Sequence, residues 1–216
     1  MACSSRRMPS HTAASDVPEA GKLFSWIKSD QQISMKGMSR YLPDDTKMAN
    51  ILILNGAPRK NGATTSLIQA FTKGAVSSGN EIREAYIHGM DVKNCLGCDV
   101  CMKTNAGCVQ KDEGMAKIYS DLEWCDTIVF ASPVYFGTMT AQLKAVIDRM
   151  WAWFNLPDHF GAKKRVVLIS TARGSDYSMI LNQYGIYSKF MGWEDLGHIL
   201  DAGEEYEAEK LGESII

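Results

Sequence analysis

The chain has 216 residues, which is enough for one well-packed domain or one domain with an extension. Its formal net charge of −2 and the lack of a basic stripe give no support to a nucleic-acid partner. No apolar run approaches the roughly 18 residues that cross a bilayer, and no secretory signal follows Met1. We therefore expect a cytoplasmic protein with reduced thiols and no membrane partner.

The amino-terminal part of the chain differs in character from the rest. Its Ser, Ala and Pro content and weak periodicity predict a mobile arm over residues 1–48, in which only 23–27 could form a turn or two of amphipathic helix. The folded domain is accordingly predicted at residues 49–216.

From residue 50 onward, strand and helix patterns alternate. The sequence predicts five strands, at 51–54, 81–86, 127–131, 165–170 and 196–200, with a continuous apolar run at 51–54 and an apolar centre in 165–170. Helical periodicity follows each of them, at 64–76, 115–122, 141–151, 178–190 and 204–215. This alternation predicts an α/β fold, a doubly wound five-stranded parallel sheet in the order 2-1-3-4-5 with helices on both faces. In that order a ligand crevice opens at the carboxyl ends of strands one and three.

The first predicted strand leads directly into GAPRKNGATT at residues 56–65. Glycines let backbone amides approach an anion, and the start of the following helix adds free donors and a partial positive charge. The side chains that can add donors are Arg59, Asn61, Thr64 and Thr65. The segment matches neither a Walker A loop nor a dinucleotide fingerprint. A tight strand-to-helix turn with a Thr N-cap is the alternative explanation.

Two more segments follow predicted strands at the same edge of the sheet. The third strand leads into SPVYFGTMT at 132–140, where proline is expected to end the strand and two aromatics can cover a flat ring system. The alternative is that Tyr135 and Phe136 belong to the core. The fourth strand leads into STARGS at 170–175, a small polar loop that could complete such a site.

Four cysteines lie in the pattern C-x2-C-x2-C-x6-C. They are Cys95, Cys98, Cys101 and Cys108. Thiolates at this spacing can bind a soft metal or an iron–sulfur cluster, with a four-thiolate zinc site or free thiols as alternatives. The surrounding stretch, 87–112, has no clear helix or strand pattern, which is typical of a functional loop. Cys125 lies apart from this group and is expected to be a buried small hydrophobe.

These segments together resemble the flavodoxin-like NADPH-dependent FMN reductase family, and within it the iron–sulfur flavoprotein branch. The resemblance rests on NGAPRKNGATT at 55–65, ASPVYFGTMTAQLKAVIDR at 131–149 and the compact cysteines, and it covers roughly residues 50–216. It implies FMN as cofactor, NAD(P)H as co-substrate, and a small molecule or a protein as electron acceptor. The flavin carries the chemistry, so no catalytic side chain is predicted.

The resemblance also assigns site residues. The FMN phosphate would be held by Arg59, Asn61, Thr64 and Thr65, near Ala57, where the family often has serine. The isoalloxazine and ribityl chain would lie along Pro133, Val134, Tyr135, Phe136 and Gly137. The far edge of the ring would be approached by Thr171, Ala172, Arg173 and Gly174. A [4Fe–4S] cluster would be held by Cys95, Cys98, Cys101 and Cys108.

The sequence leaves two alternative functions open. One is a non-enzymatic electron carrier resembling flavodoxin, although such carriers are usually more acidic than this chain. The other is an α/β domain with a structural four-cysteine zinc site.

A cluster of aromatic residues lies near the end of the third predicted strand–helix unit. Trp151, Trp153 and Phe154 place three large aromatics in four positions, more than one helical face readily buries. They predict a subunit interface in a homodimer or higher homo-oligomer.

Overall fold

The computed structural model describes residues 48–157, 159 and 162–216. Apart from Met48, the predicted mobile arm at 1–48 lies outside these residues, so it stays a prediction, as does the domain boundary. In the described part of the chain, five strands form one parallel sheet in the order β2-β1-β3-β4-β5. The strands are β1 (Asn50–Asn55), β2 (Glu81–Tyr86), β3 (Thr127–Pro133), β4 (Arg165–Thr171) and β5 (Glu194–Leu200). The predicted fold class is confirmed.

Helices cover both faces of this sheet. They are α1 (Ala63–Ser77), α2 (Val100–Thr104), α3 (Glu113–Trp124), α4 (Ala141–Phe154), α5 (Ser178–Met191) and α6 (Glu205–Glu213). The five predicted helices are all found, with ends shifted by a few residues. The stretch 87–112 contains more structure than its sequence pattern predicts, because it includes α2 and a 3-10 turn at Ile87–Gly89. Both are too short to produce a helical periodicity.

The core lies in two layers, one on each side of the sheet. Along β1, Ile51 and Ile53 point into the layer beneath α1 and α6, whereas Leu52 and Leu54 point into the layer beneath α3, α4 and α5. Successive side chains of a strand face opposite sides, so a strand covered on both faces must be apolar throughout. The continuous apolar run at 51–54 therefore indicated a central strand.

Helix α1 packs against α6 through backbone contact at two glycines. A Cβ atom on Gly74 would lie 1.9 Å from the carbonyl oxygen of Glu209, and one on Gly212 would lie 2.2 Å from that of Phe71. Neither position has room for a side chain. The two helices are therefore in closer contact than ordinary side-chain packing permits.

Polar N-caps set the starts of the two helices that flank the cysteine-rich stretch in space. Asp112 accepts a hydrogen bond from the amide of Met115 at the start of α3. Thr140 accepts one from the amide of Leu143 at the start of α4. Cys125, which follows α3, is buried as predicted, and burial raises the pKa of its thiol to about 12.

Helix α4 runs three residues further than predicted, and this changes the role of its aromatics. Trp153 and Phe154 are 2% and 3% exposed and belong to the core. The indole Nε1 of Trp153 donates to Glu123 Oε1 at 2.7 Å, and the ring of Trp151 stacks on that of Phe154 with centroids 5.8 Å apart. The predicted subunit surface at these three aromatics is therefore wrong for Trp153 and Phe154, since the extra helical turn directs both inward.

Candidate functional site

The loops that follow β1 and β3 are joined by buried hydrogen bonds at the carboxyl edge of the sheet. The amide of Gly56 donates to the carbonyl of Ala131 at 2.8 Å, and the hydroxyl of Thr140 donates to the carbonyl of Gly56 at 2.9 Å. The hydroxyl of Ser132 accepts from the amide of Thr140 at 2.9 Å. These groups are buried, so their bonds fix the loops relative to each other. The crevice predicted at this edge thus has a rigid floor.

The start of α1 is open to an anion. Its N-cap is Gly62, which has no side chain to accept hydrogen bonds from the first-turn amides, and no acidic residue lies in that turn. The first backbone bond runs from the amide of Ser66 to the carbonyl of Gly62. The amides before Ser66 have no helical acceptor, and the helix dipole adds positive potential there. This fits a phosphate group.

The predicted phosphate donors divide into two groups. Arg59 and Asn61 are exposed on the loop. Thr64 is buried, and its hydroxyl shares a 2.7 Å hydrogen bond with that of Thr171, which ties the start of α1 to the end of β4. The hydroxyl of Thr65 donates to the carbonyl of Arg59 at 3.0 Å. The alternative of a Thr N-cap is wrong, because Gly62 occupies that position.

Asn55, at the end of β1, is a site residue that the sequence reasoning missed. Its Oδ1 accepts from the amide of Ala57 at 2.9 Å, and its Nδ2 donates to Glu84 Oε1 at 2.7 Å. From the neighbouring strand, the hydroxyl of Tyr86 donates to the carbonyl of Pro58 at 3.0 Å. A polar residue ending an otherwise apolar strand was the available signal. Asn55 and Tyr86 hold the loop in shape, and the Ala57 amide is engaged in doing so.

The segment after β3 displays two aromatic side chains. Pro133 ends the strand, as predicted: it pairs with Thr171 as the last residue of β3, two residues beyond the predicted end at 131. Tyr135 and Thr138 then form a bridge around a two-residue turn in which Phe136 has φ 50° and Gly137 has φ 86°. Both central residues of such a turn need positive φ. Tyr135 is half exposed and Phe136 fully exposed, so neither belongs to the core.

The conformation of Phe136 is costly for a non-glycine residue, and its exposed ring gains no burial in return. Strained residues of this kind persist where the surrounding structure holds them, and they cluster at binding sites. A planar aromatic ligand at the crevice would give both Tyr135 and Phe136 a partner. The turn therefore fits the ring system of a flavin.

The segment after β4 forms the third wall. Thr171 is buried against Thr64, and the amide of Ala172 donates to the hydroxyl of Tyr177 at 2.9 Å. That hydroxyl donates in turn to Asp201 Oδ1 at 2.7 Å. Burial and the bond to Asp201 raise the pKa of Tyr177 to about 12, so it stays protonated. Arg173 and Gly174 are exposed at the rim.

The four cysteines lie on one segment beside this edge. Cys95 and Cys98 are exposed, Cys101 lies in α2, and Cys108 is half-buried. The amide of Gly97 approaches Cys95 Sγ at 3.4 Å, and burial raises the pKa of Cys101. Within the described residues, no three His, Cys, Asp or Glu side chains already form a metal-binding group. The donor set itself, four thiols with an N–H directed at sulfur, fits a soft metal or an iron–sulfur cluster.

A cleft of about 300 Å³ lies between the 3-10 turn and the start of α4. Its walls include Gln142 in the first turn of α4, His88, and Asn94, which precedes Cys95. The cleft thus extends from the first turn of α4 to the start of the cysteine segment. No helix among the described residues is long and apolar enough to cross a membrane.

Comparison with known proteins relates the chain to one family. The family model of the NADPH-dependent FMN reductases matches residues 49–185. The chain is 35% identical over 102 residues to an iron-sulfur flavoprotein of Archaeoglobus fulgidus, covering 47% of this chain and 46% of that protein. It is 34% identical over 96 residues to an iron-sulfur flavoprotein of Methanocaldococcus jannaschii, covering 44% and 48% respectively. The chain therefore spans about half the length of the curated relatives it matches.

Solved structures with low sequence identity share the fold. An NAD(P)H:quinone oxidoreductase from Methanothermobacter marburgensis superposes with a TM-score of 0.58 at 14% identity, covering 79% of this chain and 100% of that one. An FMN-dependent NADH-azoreductase from Bacillus anthracis, solved in complex with FMN, superposes with a TM-score of 0.53 at 14% identity, covering 78% and 98%. At these identities the likeness shows the flavodoxin-like fold alone.

Proposed function

The chain belongs to the NADPH-dependent FMN reductase family, and from that premise we propose that it is an FMN-dependent oxidoreductase that draws electrons from NADPH or NADH. The observation that carries the proposal is the pairing of an open helix start at α1 with the exposed aromatic turn at Phe136 on one edge of the sheet. One suits a phosphate and the other a flat ring, and FMN contains both.

Each of the three loops at the crevice binds a different part of FMN in this proposal. The first-turn amides of α1, with Arg59 and Asn61, hold the phosphate. Tyr135 and Phe136 cover the ring, and the rim at Arg173 and Gly174 lies at its far edge. When bound, FMN accepts a hydride from a nicotinamide and releases electrons singly or in pairs. The protein binds, orients and shields the ring, and no side chain is required to transfer a proton.

We also propose that Cys95, Cys98, Cys101 and Cys108 hold a [4Fe–4S] cluster, which when bound supplies one-electron transfer. Two observations support this. The curated relatives described above are named iron-sulfur flavoproteins. The cysteine segment begins beside the cleft that extends to the first turn of α4. Zinc in place of iron would make the segment structural and would limit the redox function to the flavin.

The electron acceptor is proposed to be a small molecule or a protein that reaches the open face of the crevice. A homodimer or higher homo-oligomer would cover apolar side chains near that face. Phe136 lies on the aromatic turn, and Met179 and Ile186 lie on α5. All three side chains are exposed, which supports this assembly.

A charge placed at the start of α1 tests the phosphate site without endangering the fold. In Ala63→Glu, the new carboxylate interacts favourably with the helix dipole but repels a phosphate. We expect the FMN dissociation constant to rise at least about tenfold, because a like charge a few ångströms away costs on the order of 1 kcal/mol or more. The matched control is Gln69→Glu, the same charge change on an exposed position of α1. Equal FMN affinity in both variants and the wild type would place the flavin elsewhere.

A further inference from the structure

Arg149 of α4 is a buried cation. Its side chain is 1% exposed and forms an ion pair with Asp112, whose side chain is 0% exposed. Burial alone would raise the pKa of Asp112, but the hydrogen bond and charge of Arg149 lower it below the ordinary value. A buried ion pair is weak evidence for a contribution to stability, because apolar residues of similar size often replace such pairs at no loss.

The same guanidinium connects the two ends of the cysteine segment. Its Nη1 donates to the carbonyl of Lys93, just before Cys95, at 3.3 Å. Its Nη2 donates to the carbonyl of Gln110 at 3.4 Å and approaches Cys108 Sγ at 3.5 Å. Arginine can make such contacts because its donors form a rigid planar fork. One side chain thus fixes the entrance and exit of the segment and directs a positive charge at one thiol.

The arrangement carries a cost that packing does not explain. The Nε of Arg149 is buried and has no hydrogen-bond partner in the described part of the chain. A buried donor left unpaired costs about 1–3 kcal/mol. The orientation of the guanidinium therefore keeps its contacts with the cysteine segment and Asp112, and it leaves Nε without a partner among the described residues.

Helix α4 also reaches the flavin crevice. Thr140, its N-cap, donates to the carbonyl of Gly56 in the phosphate loop, and Arg149 lies nine residues further along the same helix. At 1.5 Å per residue this separation is about 14 Å along the axis. One rigid element therefore contacts both the phosphate loop and the cysteine segment.

We propose that Arg149 is a positioning residue for the redox group of the cysteine segment: it fixes that segment on α4 and, through its contact with Cys108, raises the reduction potential of the cluster held there. The inference rests on the proposed function, in which these cysteines hold a cluster. A cation at a ligand sulfur stabilises the reduced state, which carries one more negative charge.

Two variants of the full chain separate this role from a general contribution to stability. Arg149→Lys keeps the charge but loses the fork. Arg149→Met with Asp112→Asn removes both charges, so that no unpaired charge stays buried, and asparagine still serves as N-cap of α3. The matched control is Arg83→Met, which breaks another arginine–aspartate pair, to Asp121, away from the cysteines.

Two measurements are needed on anaerobically purified protein, a redox titration of the cluster and hydrogen exchange of residues 93–111. We expect the potential to fall in the order wild type, Arg149→Lys, double variant, with at least a tenfold change in the reduction equilibrium for the last, which is 59 mV for a one-electron couple. Exchange of 93–111 should accelerate in the same order, while Arg83→Met leaves both unchanged.

The outcomes distinguish the inference from the function on which it rests. If the wild type contains iron and either the potential or the exchange is unchanged in the double variant, the role of Arg149 is refuted while the cluster stands. If the wild type contains no iron, the proposed cluster is refuted. Exchange alone then decides the positioning role: faster exchange confined to 93–111 supports it, and unchanged exchange overturns it.

Discussion

Gly56, in the loop that follows β1, lies in close contact with the start of α4. A Cβ atom there would lie 2.7 Å from the Cβ of Leu143 and 2.8 Å from the Oγ1 of Thr140, both fixed in the core. We expect Gly56→Ala to displace the loop and to weaken FMN binding at least about tenfold, the effect of losing one charge-assisted hydrogen bond.

Gly185 offers the matched control for this substitution. A Cβ atom on Gly185 has no neighbour within 4 Å, and the residue lies inside α5. Gly185→Ala should leave FMN affinity unchanged and stabilise the fold by roughly 0.5–1 kcal/mol, because alanine favours a helix interior. Flavin titration and urea unfolding of the two variants measure both effects. Full FMN affinity in Gly56→Ala would show that the loop does not bind the phosphate.

One substitution at Phe136 tests both the backbone strain of this residue and its proposed contact with the flavin. Phe136→Asn replaces an exposed ring in the left-handed region with a residue that tolerates that conformation. We expect the flavin-free protein to become about 1 kcal/mol more stable, since the left-handed penalty is of that order. The FMN dissociation constant should rise, because the ring loses its cover.

The control for the binding effect is Tyr206→Asn, which removes an exposed aromatic on α6. Unfolding of the flavin-free proteins and fluorescence titration with FMN provide the two readings. A Phe136→Asn protein that gains stability and keeps its FMN affinity would mean that the turn does not contact the flavin.

At single positions, the sequence indicated candidate site residues but not the hydrogen bonds that each of them makes. Thr64 has the donor chemistry for a phosphate, yet its hydroxyl is bonded to Thr171 from a strand 107 residues away. Asn55 was overlooked because its role depends on Glu84, in the neighbouring strand. Side-chain hydrogen bonds between distant segments are set by the assembled sheet, and local patterns do not contain them.

At the level of elements, the contact between α1 and α6 is the least tolerant packing in the described fold. A methyl group on Gly74 would overlap the carbonyl of Glu209, so the helices must separate to admit it. Gly74→Ala should destabilise the protein by about 1–3 kcal/mol or more, despite the better helix propensity of alanine. Gly185→Ala again serves as control. Urea unfolding showing a stable Gly74→Ala protein would contradict this account of the helix pair.

The elements themselves were well predicted where the apolar pattern was continuous. The strand at 81–86 was found with its predicted ends, the last helix is a few residues shorter than predicted, and the other strands and helices are a few residues longer. The errors occurred at segment ends. Pro133 stays in β3 because its missing amide is at the last position of the strand, and α4 continues to Phe154 because its aromatics have a core to enter. The short α2 has no periodicity to detect.

On the scale of the whole molecule, the sheet order brings three separate loops to one edge, and α4 joins that edge to the cysteine segment. The fold alone serves many functions. The assignment therefore depends on what the loops contain: an open helix start, an aromatic turn and four clustered thiols. The spacing of the four cysteines indicated candidate ligands, and their role stays a prediction, whereas the buried arginine that connects the ends of their segment became visible only in three dimensions.

The most direct test is a flavin titration and reduction of the full chain under anaerobic conditions. The protein is mixed with FMN, unbound flavin is removed, and the absorbance spectrum is recorded before and after addition of NADPH and, separately, NADH. We expect about one non-covalent FMN per chain, released on denaturation, whose yellow absorbance is bleached by at least one of the two nucleotides. A chain that retains no FMN, or that retains FMN which neither nucleotide reduces, would contradict the proposed oxidoreductase.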